Sequence, residues 1–157
     1  MDRREPGLTA VEADRGLAAS LAARLAGSNV TVVSADATAT PLSGGRFSGA
    51  VCLTMLHHVP GTDQQDALFA EVHRLLAPGG RFAGSDSLDG PDFRELHHGD
   101  VCVPVDPGSL PDRLRAAGYV DVHVDTNEHA VRFRGRKPQI SGSGDSRLRS
   151  GEFRSGE

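Results

Sequence analysis

The feature that most constrains this chain is a rhythm. Short apolar runs alternate with amphipathic stretches, and the last alternation closes on Pro78-Gly79-Gly80 before another apolar run. Leu8 to Glu12 is short and apolar, opened by the breaker Pro6-Gly7, and predicts a strand. Asp14 is placed to cap a helix in which Leu17, Leu21 and Leu25 recur every four residues, Ala18 and Ala22 widen the stripe, and Gly27 ends it. Val30-Thr31-Val32-Val33 predicts a second strand whose continuous apolar character suits a sheet buried on both faces. Phe47 to Met55, centred on Ala50-Val51-Cys52-Leu53, predicts a third. A helix from about Asp63 presents Leu68, Phe69, Val72, Leu75 and Leu76 on one face, and Pro78-Gly79-Gly80 cannot continue it. Arg81 to Ser85 is the fourth strand. Strands separated by helices follow one another in parallel, so the expected fold is α/β, a Rossmann-like doubly wound sheet.

The second half reads differently. From Asp86 to Gly108 the pattern dissolves into Asp, Gly, Pro and His. Leu110, Leu114 and Ala117 then predict a short helix ending at Gly118, and Tyr119 to Val124 and His129 to Arg136 predict two adjacent strands. A helix followed by two neighbouring strands implies an antiparallel C-terminal edge strand on a mostly parallel sheet. After Pro138 the chain turns Ser/Gly-rich, and Arg-Ser-Gly-Glu occurs twice. Residues 1–137 are therefore expected to form one domain and residues 138–157 a disordered tail.

Charge and composition exclude several classes of function. The net charge of -4 gives no pull toward nucleic acid or an anionic membrane. No apolar run approaches the roughly 20 residues that span a bilayer. The opening Met-Asp-Arg-Arg-Glu-Pro-Gly lacks the apolar core of a signal peptide, which points to a cytoplasmic setting. Cys52 and Cys102 match no metal-ligand or redox spacing, and Cys52 reads as a small buried hydrophobe.

In a doubly wound sheet ligands bind beyond the carboxyl ends of the strands. The first strand ends at Val11-Glu12-Ala13-Asp14, where a carboxylate can accept from both ribose hydroxyls of an adenosine cofactor; a solvated surface acid is the plainer alternative. The second ends at Ala35-Asp36-Ala37, where Asp36 can accept from an adenine amine and Ala37 leaves room for the ring; the alternative is a turn-forming aspartate. The third ends at Leu53-Thr54-Met55-Leu56-His57-His58. Paired histidines there suit a base or a metal, but nothing nearby stands at ligand spacing, so His57 and His58 read as loop-fixing and pocket residues. Asp86, His97, His98 and Asp100 occupy the following irregular segment. A local metal set of His97, His98 and Asp100 is the weaker reading, so no metal is expected.

Taken in order, Val11-Glu12-Ala13-Asp14, Asp36-Ala37 with Pro41-Leu42, Phe47-Ser48-Gly49-Ala50-Val51, Leu56-His57-His58-Val59, and Glu71 through Pro78-Gly79-Gly80-Arg81-Phe82 resemble the successive signatures of class I S-adenosylmethionine-dependent methyltransferases over residues 8–136. The resemblance implies S-adenosyl-L-methionine as cofactor and a small-molecule methyl acceptor as partner. It places Glu12 and Ala13 at the cofactor ribose, Asp36 and Ala37 at the adenine, and Leu53 and Thr54 along the methionine portion. His57, His58, Asp86 and His97 would lie toward the acceptor.

One departure stands out. The family's first strand and its Gly-x-Gly loop would lie before Met1, so the chain reads as an N-terminally incomplete fragment expected to bind cofactor weakly or not at all. The alternative function is a non-catalytic Rossmann-like remnant serving as a binding module. A nicotinamide-binding protein is a third reading, disfavoured because no Gly-x-Gly-x-x-Gly follows a strand.

Overall fold

The computed structural model describes residues 7–139, so the tail expected over 138–157 lies almost wholly outside the described residues. In chain order the elements are β1 (Leu8–Glu12), α1 (Arg15–Arg24), β2 (Val30–Ser34), β3 (Phe47–Leu53), a single 3-10 turn (Leu56–His58), α2 (Thr62–Leu75), β4 (Leu76–Ser87), α3 (Pro91–Leu96), α4 (Leu110–Ala116), β5 (Val120–Thr126) and β6 (Ala130–Arg136).

The strands form two sheets. β1 and β2 pair in parallel, and a four-stranded sheet runs in the order β3-β4-β6-β5. Within the larger sheet β3 and β4 are parallel, while β6 is antiparallel to both β4 and β5. The mixed α/β architecture with antiparallel pairing at its C-terminal end is the one expected. The last strand inserts between β4 and β5, so the antiparallel strand lies one place in from the edge.

Local chemistry explains most boundaries. The Asp14 side chain accepts from the Leu17 N–H at 2.8 Å and caps α1. Helix α2 was expected to run to Pro78 but ends at Leu75, and Leu76 is already extended at φ −67°, ψ 139°. Pro78 pushes the residue before it out of the helical region, and Gly79 follows at φ 80°, where glycine carries no Cβ penalty. The ammonium of Lys137, the sole lysine of the chain, donates to the carbonyls of His73 and Leu76 at 2.8 Å each, satisfying groups the helix end leaves open.

The core lies on one face of the four-stranded sheet, under α2 and α4. Phe82 is fully buried and packs against Phe69, Tyr119 and Phe133 at ring separations of 6.1, 5.7 and 5.1 Å. The Tyr119 hydroxyl donates to the Phe69 carbonyl at 3.0 Å. Gly84 is paired opposite Phe133, and a Cβ at residue 84 would collide with that ring and approach the Cys52 carbonyl to 2.7 Å. The opposite face is open: Val51 and Leu53 are 70% and 63% exposed.

Two burial expectations need correction. The Leu17-Leu21-Leu25 stripe of α1 buries only Ala18 fully, and Leu17 is 61% exposed. β2 is half-buried rather than covered on both faces. Both follow from one cause: β1 and β2 form a two-stranded sheet on which α1 is the main cover.

Residues 40–46 tie this unit to α2. Oε1 of Glu71 accepts from the Thr40 N–H at 2.9 Å and the Thr40 hydroxyl at 2.6 Å, and Arg74 pairs with both oxygens of the same carboxylate. Arg74 also donates to the Leu42 carbonyl at 2.8 Å. The Arg74 guanidinium, with help from Thr40, lowers the Glu71 carboxyl from 4.5 to about 2 despite burial. A lowered acid stabilises the fold fully above its unfolded value, and that contribution is lost as pH falls from 4.5 through about 2. Arg74 is half exposed, so solvent screening trims the effect. Glu71→Gln is expected to cost on the order of 2 kcal/mol at pH 7 and to flatten the acid limb of stability in that window. Urea unfolding at stepped pH measures both; an unchanged acid limb would remove this carboxylate from the account.

Candidate active site

The sequence-predicted site residues fall at strand ends. β1 and β2 run in register to Glu12 and Ser34, and the Ala35 N–H donates to the Glu12 carbonyl at 3.0 Å. Glu12 and Asp36 therefore leave the small sheet at the same edge. Oε1 of Glu12 accepts from the Asp14 N–H at 2.9 Å, and Oδ1 of Asp36 accepts from the Thr38 N–H and hydroxyl, both at 2.8 Å. Ala13 is exposed, while Ala37 is partly buried against the main core. Leu53 and Thr54 end β3, and the Thr54 N–H donates to the Ser85 carbonyl at 2.8 Å. Thr54 sits at φ 48°, a left-handed conformation costly for a β-branched residue and typical of ligand-facing turns.

A second group gathers where β3 and β4 end. Asp86 is fully buried, and its Oδ1 lies 2.5 Å from Nδ1 of buried His57. The same carboxylate accepts from the Ser87 N–H at 2.7 Å and the His57 N–H at 3.3 Å. With two backbone donors already directed at it, the carboxylate takes the imidazole proton as its third, which places a proton on Nδ1; in the neutral ring Nε2 is then the acceptor. The His57 ring lies 4.1 Å from His58, 4.8 Å from His97 and 5.2 Å from Phe93. Nδ1 of His97 is 2.8 Å from the Phe93 carbonyl. Desolvation by the surrounding turn, then the neighbouring imidazoles of His57 and His97, hold the exposed His58 ring below its ordinary value.

The turn carrying these rings is braced from behind. Gln65 donates to the carbonyls of Leu56 and Val103 at 3.1 and 3.0 Å, and Arg113 donates to its side-chain oxygen at 3.0 Å. Beyond Asp86 a depression of about 400 Å³ opens, lined by Ser87, Asp89, Phe93, Leu96, Glu128 and His129. Cys52 is no nucleophile: burial, then the charge of Asp86, pushes its thiol up to about 12.

Thus His57, His58, Asp86 and His97 come together, whereas of the local set His97, His98 and Asp100 only His97 joins the cluster of ring nitrogens. Sequence reasoning missed Gln65 and Arg113, whose roles depend on contacts distant in the chain. It also missed α3, whose signals are Pro91 at its start and buried Phe93.

Parallel strands with acids at or just beyond their ends and an antiparallel strand toward the C-terminal side of the larger sheet make a mixed α/β, Rossmann-like arrangement. The chain belongs to the methyltransferase domain family, whose model matches residues 2–80. No match is found among curated protein sequences. Among solved structures, a S-adenosylmethionine-dependent methyltransferase from Methanosarcina mazei superimposes with a TM-score of 0.69 at 14% identity, over 85% of this chain and 82% of that one. The 1,6-didemethyltoxoflavin-N1-methyltransferase of Burkholderia thailandensis, solved with 1,6-didemethyltoxoflavin and S-adenosylhomocysteine, gives 0.61 at 28% identity, over 83% of this chain and 61% of that one. A possible exported protein from Bordetella parapertussis gives 0.66 at 17% identity; 84% of this chain is covered, which spans about half, 53%, of that protein. No helix among the described residues is long and apolar enough to cross a membrane.

Proposed function

We propose that this chain carries the adenosine half-site and the acceptor side of a S-adenosylmethionine-dependent methyltransferase acting on a small molecule. The observation that carries the reading is the shared edge of Glu12 and Asp36, two carboxylates at successive parallel strand ends. Their chemistry fits adenosine: Glu12, with Ala13 beside it, accepts from the ribose hydroxyls, and Asp36 accepts from the adenine amine over the small side chain of Ala37. Leu53 and Thr54 line the methionine portion.

When bound, the cofactor supplies an activated methyl group on a sulfonium. Catalysis then consists mainly of placing the acceptor in line with that group. On the acceptor side Asp86 holds His57 in one tautomer, leaving Nε2 to take a proton from an acceptor N–H or O–H. His58 and His97 wall the same space. The depression lined by Ser87, Phe93 and Leu96 has the size of a small-molecule pocket.

Affinity should be low for this chain. Two carboxylates contribute hydrogen bonds of about 0.5–1.5 kcal/mol net each, somewhat more where charged. Binding must overcome roughly 4–15 kcal/mol of lost translational and rotational freedom. Titration of the labelled protein with S-adenosylhomocysteine, followed by amide chemical shifts, is expected to show millimolar binding with changes confined to residues 12–14, 35–38 and 53–54. Asp36→Ala should remove those changes, and a nicotinamide dinucleotide should produce none. Absence of any shift at saturating ligand would leave the non-catalytic binding module as the better reading, which the open edges of β1 and β3 and exposed Val51 and Leu53 favour.

A further inference from the structure

The three imidazoles beside Asp86 have an arrangement that their places in the sequence do not suggest. One ring nitrogen from each of His57, His58 and His97 lies within 4.8 Å of the other two. In His57 and His97 the Nδ1 atom is already engaged, by the Asp86 carboxylate and by the Phe93 carbonyl respectively. Histidines that bind metals almost always commit one ring nitrogen to a carboxylate or a backbone carbonyl, which fixes the tautomer and makes the other nitrogen a better donor. Here two of the three rings have that partner, and each retains Nε2.

We infer that His57, His58 and His97 form a binding site for a borderline divalent transition-metal ion of the zinc type, with Asp86 and the Phe93 carbonyl orienting two of the ligands. The donor set suits such an ion, since imidazole nitrogen binds zinc, cobalt, nickel and copper and is a poor ligand for magnesium or calcium. A tetrahedral site with zinc–nitrogen bonds of 2.0–2.1 Å brings nitrogens to about 3.3 Å of one another, so the cluster must contract by somewhat over an ångström. His58 can supply the movement because it is exposed, while His57 is held between Asp86 and Phe93. Three protein ligands leave a fourth position open, as in zinc sites that bind water or a substrate atom. That position lies beyond the ends of β3 and β4, on the side where the fold binds ligands. The site does not depend on methyl transfer, and its test requires none; with a metal bound, Nε2 of His57 is a ligand, so the proton-accepting role given to it above belongs to the metal-free form.

The experiment titrates the metal-free 157-residue protein with Zn²⁺ alone by calorimetry and with Co²⁺ alone by visible absorption. One equivalent is expected to bind with micromolar or tighter affinity, and Co²⁺ should develop the absorption of a nitrogen-ligated, low-coordinate ion. His58→Ala and His97→Ala should each weaken binding about 100-fold, and Asp86→Asn about 10–100-fold by freeing the His57 ring. His123→Ala, outside the cluster on β5, should leave affinity unchanged. Because Asp86 is buried and its variant can unfold, the decisive pair is His58→Ala and His97→Ala, each checked by circular dichroism for native structure. Affinity no tighter than millimolar, or binding that survives both substitutions, would overturn the assignment and leave the rings as packing for the turn.

Discussion

Phe82→Ala is expected to remove about 3–5 kcal/mol of unfolding free energy, the cost of truncating a fully buried aromatic ring. Phe82 stands on β4, in the interior of the larger sheet, and touches aromatic rings from α2, β6 and the residue just before β5. Truncation would leave a cavity facing three rigid rings. Phe133 cannot collapse into it easily, because that ring lies over Gly84 on the neighbouring strand. A domain of this size has only about 5–15 kcal/mol in total, so the variant should be marginally folded at 37 °C. Urea unfolding at 25 °C gives the measurement, with Phe82→Leu as a partner variant that keeps most of the volume and should lose less than half as much. A loss under about 1 kcal/mol for the alanine variant would mean that the aromatic cluster is not the centre of the core.

The parts of this fold that are legible in sequence are those set by local chemistry. β1 falls at Leu8–Glu12 as expected, with Gly7 just before it and the Asp14 cap directly after. The arrest of α2 near Pro78-Gly79-Gly80 is likewise local, although the helix yields three residues early because Leu76 pairs with Phe47 as strand. The strand order β4-β6-β5 is less accessible. The alternation of Val131 and Phe133 with Arg132 and Arg134 shows that β6 has one buried face, but not that it pairs with β4 as well as β5.

The candidate site divides in the same way. Glu12, Asp36 and Thr54 are visible as strand ends, which a reading of single elements locates. The histidine cluster is not, since His97 reaches His57 only through α3, a helix of one and a half turns formed from Pro91 and one buried phenylalanine. The α1 stripe misleads for a related reason: its periodicity reports a helix with an apolar face, and burial then depends on how much sheet lies beneath it.

That uneven burial carries the second large prediction. Among the described residues β1 and β2 pair as strands only with each other, and α1 contributes one buried side chain, Ala18, to the unit. The larger sheet has the aromatic cluster and two helices over its inner face. Opening the small unit exposes little apolar surface and breaks a short ladder, whereas opening β4 or β6 dismantles the core. In hydrogen exchange on the free protein, amides of β1 and β2 are expected to exchange at least about 100-fold faster than those of β4 and β6. That ratio corresponds to roughly 3 kcal/mol less opening free energy. Equal protection across both sheets would show that residues 38–46 and the Glu71–Arg74 pair weld the molecule into one cooperative unit, and the division would be wrong. The same experiment bears on function. If adenosine bridges Glu12 and Asp36, the small unit must be folded to bind it, so S-adenosylhomocysteine at ten times its dissociation constant should slow exchange in β1 and β2 by about a factor of 11. β4 and β6, already limited by the rarer global opening, should gain at most the same factor. Slowing confined to β4 and β6 would place the ligand in the depression beside Asp86 and remove Glu12 and Asp36 from the cofactor site.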